Sequence, residues 1–457
     1  MLKAYEEYKN ADIPWCTEIP FSWSVNRGKA IFNNPKEINK DGLCGNVLSL
    51  TLKGVIRNNR DNPVGLTPKS YETYQIFEKN NLVFKLIDLE NISTSRVGLV
   101  REKGIMSPAY IRVELKNIES HNIEYFFYQY YSMYKRNIFN GLGAGVRQTL
   151  SGNDLLQLKI AVPPKTEQDQ IVRYLDWKTS EMNRFIHQKK KQIKMLRELR
   201  LSLIDNAVTK GIDNVELKES GYGWIGKIPK HWNMEYSKHF FFLRKEKAHI
   251  GDEQLTSSQQ YGIISQKKFM EIENRRVTVV MTGDDILKHV EAGDFVISMR
   301  SFQGGIEYSS MSGKISSAYV MLIPNHEFVN DEYFRWLLKS PSYIKALQGT
   351  SDLVRDGQAL RYSNFAKVYL PRVPLDEQQR IAEYLNQKTP QIDEAITEIK
   401  KEISLVEELK VKLISDVVTG QVDVRDEVIP NYEVDSSDDE VEDDVDEESS
   451  DENIDEE

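Results

Sequence analysis

Two long segments of the chain carry an apolar residue at almost every seventh position, with polar residues between them. The second segment has Leu385, Ile392, Ile399, Val406 and Leu413, and the first has Leu175, Met182, Lys189, Leu196 and Leu203. A seven-residue apolar repeat predicts helices that pair along one seam. We therefore expect residues 180–208 and 390–418 to form two helices of roughly 43 Å that pair as an antiparallel coiled coil.

The ends and the one polar seam position refine this expectation. Thr389 is a suitable N-cap and Pro390 suits a first helical position, so the second long helix is expected to begin there. Lys189 interrupts the apolar seam and is expected either to extend to solvent or to meet an acidic residue. The alternative, in which each helix packs only on its own domain, stays open, although equal length and polar outer faces favour pairing.

The segments before these helices alternate between strand-like and helical patterns. Short apolar runs predict strands at residues 47–52, 82–86, 111–115, 295–299 and 319–323. Helices with aromatic content are predicted at residues 123–133 and 331–338. Strands mixed with few helices indicate an irregular, mixed α+β domain rather than a doubly wound sheet.

The chain repeats itself with a domain-sized offset. Near each start, Trp15, Ile19, Pro20 and Trp23 return 209 residues later as Trp224, Ile228, Pro229 and Trp232. Near each end, Pro164, Glu167, Gln168, Ile171, Tyr174 and Leu175 return 210 residues later as Pro374, Glu377, Gln378, Ile381, Tyr384 and Leu385. Between them, Ser49, Gly54, Val55 and Ile56 correspond to Ser257, Gly262, Ile263 and Ile264. Such a long period indicates two copies of one unit, with little else shared between them.

We divide the chain accordingly into two domains, two connectors and a tail. The first domain is expected at residues 1–163, its helical connector at 164–215, the second domain at 216–372, its connector at 373–425, and an acidic tail at 426–457. The two similar domains and their paired helices predict a pseudo-two-fold arrangement. Two similar, non-identical domains indicate two similar, non-identical targets.

The formal charge of −10 hides a basic body. Residues 433–457 hold 16 acidic and no basic side chains, which leaves 54 acidic and 60 basic residues elsewhere, a charge of +6. The tail is expected to be disordered, either as a solubilising or as a functional segment. The weakly basic body is compatible with nucleic-acid binding.

The sequence also indicates the cellular compartment of the protein and whether it carries a catalytic or metal-binding site. No apolar run reaches the roughly 18 residues of a membrane helix, and the polar start has no signal-peptide pattern, so a cytoplasmic protein is expected. The two cysteines, Cys16 and Cys44, have no paired spacing. The seven histidines do not cluster in sequence, so no metal site is expected. The glycine-rich residues 141–145 follow no strand, which argues against a nucleotide loop, and no catalytic motif is found.

The chain is rich in side chains suited to reading DNA. Arginine, asparagine and glutamine can bond base edges, and lysine and arginine neutralise phosphates. The candidates lie on predicted loops beside anchored strands: Lys53, Arg57, Asn58, Asn59, Arg60, Arg96, Arg101 and Arg147 in the first domain, and Gln259, Gln260, Tyr261, Arg300, Gln303, Arg355 and Arg361 in the second. As a set on two unlike domains, they form a nucleic-acid hypothesis.

The repeated elements resemble a known family. Residues 223–232, the Pro-x-x-Glu-Gln element with its following Ile-x-x-Tyr-Leu helix, and residues 417–420 (Val-Val-Thr-Gly) look like those of specificity subunits of type I restriction-modification systems. The resemblance extends to about residue 425. The first copy departs mildly from the pattern, with Cys-Thr-Glu at residues 16–18 and Ala-Val-Thr-Lys at 207–210.

This resemblance implies a non-catalytic subunit whose two target-recognition domains each read one half of a bipartite, asymmetric DNA site. It also implies docking of two methyltransferase subunits, and of restriction subunits in the full complex. S-adenosylmethionine, ATP and magnesium would be bound by those partners. Independently, a helical spacer of about 43 Å is comparable to one turn of B-DNA, about 34–36 Å. Two competing hypotheses are an enzyme, either bifunctional or a stand-alone methyltransferase, and a coiled-coil adaptor that binds only proteins.

Overall fold

The computed structural model describes residues 3–40, 42–59, 68, 70–90, 94–143, 148–258, 260–274, 286–297, 305–350 and 360–432. These residues form two compact units. The first unit contains residues 3–189 and 401–432 of the described chain, and the second contains residues 190–400. Each unit therefore holds one of the duplicated domains and one half of each long helix.

The first unit is built mainly from short strands, followed by a helix and the start of the first long helix. Its elements are β1 (Tyr8–Ile13), β2 (Cys16–Pro20), β3 (Ser24–Arg27), α1 (Gly28–Ile31), β4 (Phe32–Asn33), β5 (Leu48–Thr51), β6 (Gly54–Arg57), β7 (Gln75–Phe77), β8 (Leu82–Phe84), β9 (Val97–Leu99), β10 (Gly104–Met106), β11 (Ile111–Leu115), α2 (Ile123–Lys135), α3 (Gly152–Gln157), β12 (Lys159–Val162) and α4 (Lys165–Lys210). Helix α4 continues into the second unit.

The second unit repeats this order with small additions. Its elements are β13 (Leu217–Glu219), β14 (Lys227–Pro229), β15 (Asn233–Tyr236), α5 (Ser237–Phe240), β16 (Phe241–Leu243), β17 (Leu255–Ser258), β18 (Gly262–Ser265), α6 (Gln266–Glu273), β19 (Lys288–Val290), β20 (Phe295–Ile297), β21 (Glu307–Tyr308), β22 (Gly313–Ile315), β23 (Val320–Pro324), α7 (Asp331–Leu337), α8 (Pro341–Gln348), α9 (Tyr362–Phe365), β24 (Tyr369–Arg372) and α10 (Leu375–Val418). Helix α10 returns to the first unit.

The two units share one sheet topology. The strand order is β4-β11-β8-β9 in the first and β16-β23-β20-β21 in the second, with all neighbours antiparallel. Four two-stranded ladders also correspond, namely β1–β2 with β13–β14, β3–β12 with β15–β24, β5–β6 with β17–β18, and β7–β10 with β19–β22. The predicted mixed α+β fold with two similar domains is confirmed, as are all five predicted strands and both predicted helices.

Each unit has a larger and a smaller hydrophobic core. The larger core surrounds Trp23 in the first unit and Trp232 in the second, and it includes apolar residues from both long helices. The smaller core lies beneath one β-hairpin of each domain. Its members are Leu48, Leu50, Phe77, Val83, Val100 and Met106 in the first unit, and Leu255, Ile263, Val290, Val296, Ile315 and Met321 in the second. The shared framework and the hairpin layer are therefore packed separately.

The Pro-x-x-Glu-Gln element fixes α4 to the first domain. Glu167 is buried, and its Oε1 accepts hydrogen bonds from Trp23 Nε1 at 2.8 Å and from the Tyr5 hydroxyl at 2.5 Å. Burial, followed by the interaction with this carboxylate, raises the pKa of Tyr5. The adjacent Gln168 accepts a hydrogen bond from the backbone N–H of Asn122 at 2.8 Å and donates one to a neighbouring carbonyl. Since Asn122 is the N-cap of α2, this glutamine joins two helices.

The second domain uses the same contacts. Glu377 accepts hydrogen bonds from Trp232 Nε1 at 3.0 Å, and its Oε2 lies 2.8 Å from His231 Nε2. Gln378 accepts from the backbone N–H of Asn330, the N-cap of α7, at 2.8 Å and donates to the Val373 carbonyl at 2.9 Å. A buried carboxylate and a buried amide require hydrogen-bond partners. The glutamate, the glutamine and the tryptophan that bonds the glutamate are therefore repeated together in the two domains.

The predicted start of the second long helix is wrong. Helix α10 begins at Leu375 and passes through Pro390 without a break, and α4 likewise runs over 46 residues from Lys165. Thr389 does not cap a new helix, because its hydroxyl donates to the Leu385 carbonyl one turn earlier at 2.8 Å. Both residues are buried, so packing of this face continues across the proline and outweighs the local preference for a helix start.

The two long helices pair in an antiparallel manner within each unit. In the first unit, Lys189 Nζ lies 2.5 Å from Glu402 Oε2, as expected for a lysine that meets an acid. In the second unit, the Arg200 guanidinium lies 2.8 Å from the Asp393 carboxylate. On these helices, Ile193, Ile396 and Ile399 are buried in the second unit, and Ile403 is buried in the first. The predicted coiled coil is confirmed.

The ends of the long helices belong to the domain cores. The Tyr125 hydroxyl contacts the Val418 carbonyl at the end of α10 at 3.3 Å, and the Tyr333 hydroxyl donates to the Val208 carbonyl near the end of α4 at 2.8 Å. Each helix thus begins in one domain core and ends in that of the other unit. Among the helices that the structure describes, none is both long enough and apolar enough to cross a membrane.

We predict that Gln378→Ala lowers the free energy of unfolding by about 2–4 kcal/mol. The substitution leaves the partly buried N–H of Asn330 and the buried Val373 carbonyl without these partners, at about 1–3 kcal/mol each. The matched control is Gln379→Ala, an exposed neighbour that contacts only the side chain of Asn330 and its own helix. Urea unfolding followed by tryptophan fluorescence measures both variants, and equal losses would contradict the assigned role.

Candidate nucleic-acid interface

Equivalent β-hairpins carry the central candidates of both domains. Strands β5 and β6 pair on either side of residues 52–53, and strands β17 and β18 pair as the equivalent hairpin, with Gln260 and Tyr261 directly before β18. Gly54 and Gly262 begin the second strand of each hairpin with φ values of 106° and 69°, which glycine adopts most readily. The repeated glycine therefore preserves the hairpin, while the turn in front of it differs in length and composition.

In the first domain, the hairpin presents lysine, arginine and asparagine side chains. Lys53 lies exposed in the turn, and Arg57 lies exposed at the end of β6. Asn58 follows and is held in place, because its Nδ2 donates to Ser49 Oγ at 2.8 Å across the hairpin. Asn59 is exposed next to it. This arrangement offers a cationic edge with amide groups beside it, which suits both phosphate and base-edge contacts.

Two arginines of this surface form exposed ion pairs. Arg57 makes a bidentate contact with Glu102, and the Arg101 guanidinium lies 2.5 Å from the Glu124 carboxylate. The Arg57 hydrogen bond holds the pKa of Glu102 below its usual value. The arginine side chains are 74% and 66% exposed, and ion pairs this exposed contribute little stability. Phosphates could therefore replace the carboxylates at little cost.

Arg96 has a different position from the one predicted. It is 2% exposed, and its guanidinium donates to the Asp88 carbonyl at 2.9 Å and toward the Ile87 carbonyl at 3.4 Å. Burial lowers the pKa of this guanidinium. Arg96 therefore organises the turn at residues 87–88, and a side chain so deeply buried cannot reach a base edge without rearrangement. We remove it from the candidate set.

In the second domain, the hairpin presents polar rather than cationic groups. Gln260 is exposed, and the Tyr261 hydroxyl donates to Glu273 Oε1 at 3.0 Å at the end of α6. Arg361 is also exposed, but it lies before α9, whose Tyr362 and Phe365 join the larger core rather than the hairpin core. The structure therefore groups Gln260 with Tyr261 and leaves Arg361 on a separate element.

Six candidates fall outside the described residues, namely Arg60, Arg147, Gln259, Arg300, Gln303 and Arg355.

The structure adds candidates that the sequence analysis missed. Lys267 and Lys268 are exposed on α6, directly after the second hairpin. Their signal in the sequence was their position shortly after Gly262, Ile263 and Ile264, which correspond to Gly54, Val55 and Ile56 of the first copy.

The seven histidines were not expected to cluster, but the structure brings two of them into contact. The rings of His249 and His289 stack with centroids 4.1 Å apart. They are 40 positions apart in the sequence, and strand pairing brings them together.

Two similar α+β domains on one chain, each with its own exposed hairpin and each fixed to paired helices, define a protein with two related modules. Comparisons with known proteins specify the class. Residues 24–195 match the family model for the type I restriction modification DNA specificity domain.

Two curated relatives come from Methanocaldococcus jannaschii. The protein named as the type I restriction enzyme MjaX specificity subunit is 27% identical over 65% of this chain and 68% of its own length. The MjaVIII specificity subunit is 23% identical over 84% of each chain. A chain from a structure describing assembly and conformational transition of the type I R-M system shares the fold, with a TM-score of 0.62, 13% identity and coverage of 88% of this chain and 99% of that one.

Along most of its length the chain is similar to type I restriction enzyme specificity subunits, and residues 24–195 match the DNA specificity domain of that family. The family predicted from the repeated motifs is thereby confirmed. So is the prediction that the chain is a recognition subunit rather than a catalytic one.

We predict opposite phenotypes for two arginines of the first domain. Arg57→Ala should leave the melting temperature unchanged and weaken binding to the cognate DNA by about 5–150-fold, because an exposed contact is lost. Arg96→Ala should instead lower the melting temperature, because two carbonyls lose their donor. Fluorescence anisotropy and thermal unfolding measure the two effects. Arg27→Ala, an exposed arginine on β3, is the control, and an affinity equal to that of Arg57→Ala would contradict the assignment.

Proposed function

We propose that each domain reads one half of a bipartite, asymmetric DNA sequence, and that the paired helices set the spacing and dock two methyltransferase subunits. Double-stranded DNA is the ligand of both hairpin surfaces. In this proposal the chain works in the cytoplasm as the recognition component of a larger complex, with restriction subunits joining the full assembly. S-adenosylmethionine, ATP and magnesium would be bound by the partner subunits.

One observation carries the proposal of two unlike half-sites. The same framework holds two different hairpins: the first presents Lys53, Arg57 and Asn58, and the second presents Gln260 and Tyr261. Cationic groups favour phosphates and guanine edges, whereas glutamine suits an adenine edge. Identical frameworks with unlike reading groups are suited to two unlike sequences.

Repeated exposed apolar pairs support two docking sites for one kind of partner. Met195 and Leu199 on α4 are 53% and 55% exposed, and Leu405 and Leu409 on α10 are 57% and 53% exposed. The pairs occupy positions that correspond under the 210-residue repeat, and the members of each pair lie four residues apart on one helix face. One pair belongs to each compact unit. Exposed apolar groups at equivalent positions suit two copies of one subunit.

A coiled-coil adaptor that binds only proteins is the alternative function. It would explain the apolar pairs but not the exposed arginine, asparagine and glutamine groups on the hairpins. The two functions differ in their response to salt, because DNA binding releases counterions and weakens as salt rises. Binding to duplex DNA that falls steeply between 50 and 200 mM salt, on the order of tenfold or more, would exclude the adaptor.

A domain exchange tests the separate reading of half-sites. Residues 233–372 begin with β15 and end with β24, which pair with each other, and this segment leaves Trp232 and Glu377 in place. We expect replacement by the corresponding segment of a relative to change one half of the methylated sequence and to leave the other half unaltered. Mapping of methylated adenines in cells that also carry the methyltransferase subunit gives the result. A change in both halves would contradict modular reading.

We predict that Leu405→Glu with Leu409→Glu removes one of the two methyltransferase subunits, and that Met195→Glu with Leu199→Glu removes the other. Each change places two charges in an apolar contact, where an unpaired charge is strongly unfavourable. Native mass spectrometry of the complex measures the stoichiometry. Ser404→Glu and Lys194→Glu are matched controls, because both residues are exposed beside the pairs. Two bound subunits in all variants would refute these docking sites.

A further inference from the structure

The segment between β16 and β17 brings two histidines of the second domain together. Its backbone runs antiparallel to β19, with the N–H of Ala248 donating to the Leu287 carbonyl and the N–H of His289 donating to the Glu246 carbonyl, both at 3.1 Å. This pairing stacks the imidazoles of His249 and His289 at 4.1 Å with an angle of 25° between the rings. The backbone therefore imposes the contact between the rings.

A carboxylate completes a cluster of possible metal ligands. His249, Asp252 and His289 each place one ligand atom so that all three atoms lie within 4.8 Å of one another. His289 Nδ1 lies 2.8 Å from Asp252 Oδ2. Two imidazoles with a carboxylate are a donor set that zinc prefers. His289 is buried, but the His249 side chain is 53% exposed. An ion can therefore reach the cluster from the side of His249.

Neighbouring side chains orient these ligands. His289 Nε2 lies 2.9 Å from Glu291 Oε2, and Glu291 Oε1 accepts a hydrogen bond from Ser312 Oγ at 2.8 Å. A proton on Nε2 that is donated to Glu291 leaves the Nδ1 lone pair directed at the cluster. Metal-binding histidines commonly have such a carboxylate behind them. Asp252 Oδ2 is likewise fixed by the backbone N–H of His249 at 2.8 Å.

A further carboxylate lies beside the cluster. Glu246 Oε1 is 2.9 Å from His249 Nε2, and Glu246 Oε2 accepts a hydrogen bond from Arg244 at 2.9 Å. Glu246 is therefore placed either to orient His249 or to supply a fourth ligand. Four groups from one short segment and one strand converge here.

Among the described residues, such a cluster occurs in the second domain and has no counterpart in the first. In the first domain, the N–H of Ile76 donates to the Glu37 carbonyl, which is the backbone contact that His289 makes with Glu246. Isoleucine thus takes the place of the buried histidine, and Lys40 takes the place of the exposed one. Since the shared framework does not require these ligands, they belong to what distinguishes the second domain.

We propose that His249, Asp252 and His289 bind a zinc ion, with Glu291 and Ser312 as the outer residues that orient His289. The ion would join the segment before β17 to β19, and so fix the entry to the β17–β18 hairpin. The site provides stability to this domain alone, and it does not depend on the proposed DNA function.

The test uses the full chain, stripped with a chelator and then titrated with zinc against a chromophoric competitor. We expect one zinc ion per chain, an affinity at least about 100-fold lower for His249→Ala, and an affinity about 10–100-fold lower for Glu291→Gln. His249 is half exposed, so its loss should leave the fold intact. His239→Ala is the control, because this exposed histidine pairs with Glu235 elsewhere in the same domain.

Thermal unfolding gives a second readout. Zinc should raise the melting temperature of the wild-type chain and of His239→Ala, but not that of His249→Ala. If the wild-type chain binds zinc no more tightly than His249→Ala does, the proposal is refuted. The histidines and carboxylates would then only form ion pairs with one another. Equal loss of zinc in His239→Ala would also refute it, because binding would then be a general property of surface histidines.

Discussion

Each domain is fixed to its long helix by a carboxylate and an amide that have almost no exposure to solvent. A buried carboxylate is stable only when donors satisfy its oxygens, so Glu167 requires Trp23 and Tyr5 in one exact arrangement. Gln168 extends the constraint to the N-cap of α2. The strand pair, the packed helix and the long helix are therefore positioned together, and the second domain repeats the arrangement around Glu377.

This fixed framework allows the rest of each domain to differ. The hairpins rest on a smaller core of six buried residues in each unit, separate from the core around the tryptophans. Substitutions in a hairpin turn therefore do not disturb the contacts that hold the helices. The separation gives a physical basis for one scaffold that carries two hairpin surfaces of different chemistry, cationic around Arg57 and polar around Tyr261. It also allows the second domain to acquire a cluster such as that of His249 and His289.

Within each unit, a long helix is held at its end as well as along its seam. Near the end of α4, the Val208 carbonyl accepts a hydrogen bond from the Tyr333 hydroxyl. At the end of α10, the Val418 carbonyl accepts one from the Tyr125 hydroxyl. The exposed apolar pairs lie on the same helices but away from the buried isoleucine seam. In the proposed function, reading of DNA and docking of partner subunits use different surfaces, so the sequence read would change while the docking positions stay the same.

The sequence by itself determined the duplication, the mixed fold, the helix pairing and the family, because each rests on a repeated or periodic pattern of residue types. The contact of Lys189 with an acid was also predictable, since a lysine in an apolar seam needs a partner. Tertiary structure alone decided the other features. Pro390 suits a helix start locally, yet burial of Leu385 and Thr389 continues the helix through it. Arg96 resembles a surface arginine, and only the turn that folds over it shows that it is buried.

The histidine cluster has the same origin, because His249 and His289 are distant in sequence and meet only through strand pairing. Local pattern specifies which elements form. Which side chains become buried or brought together depends on long-range packing, for which a single sequence carries no periodic signal.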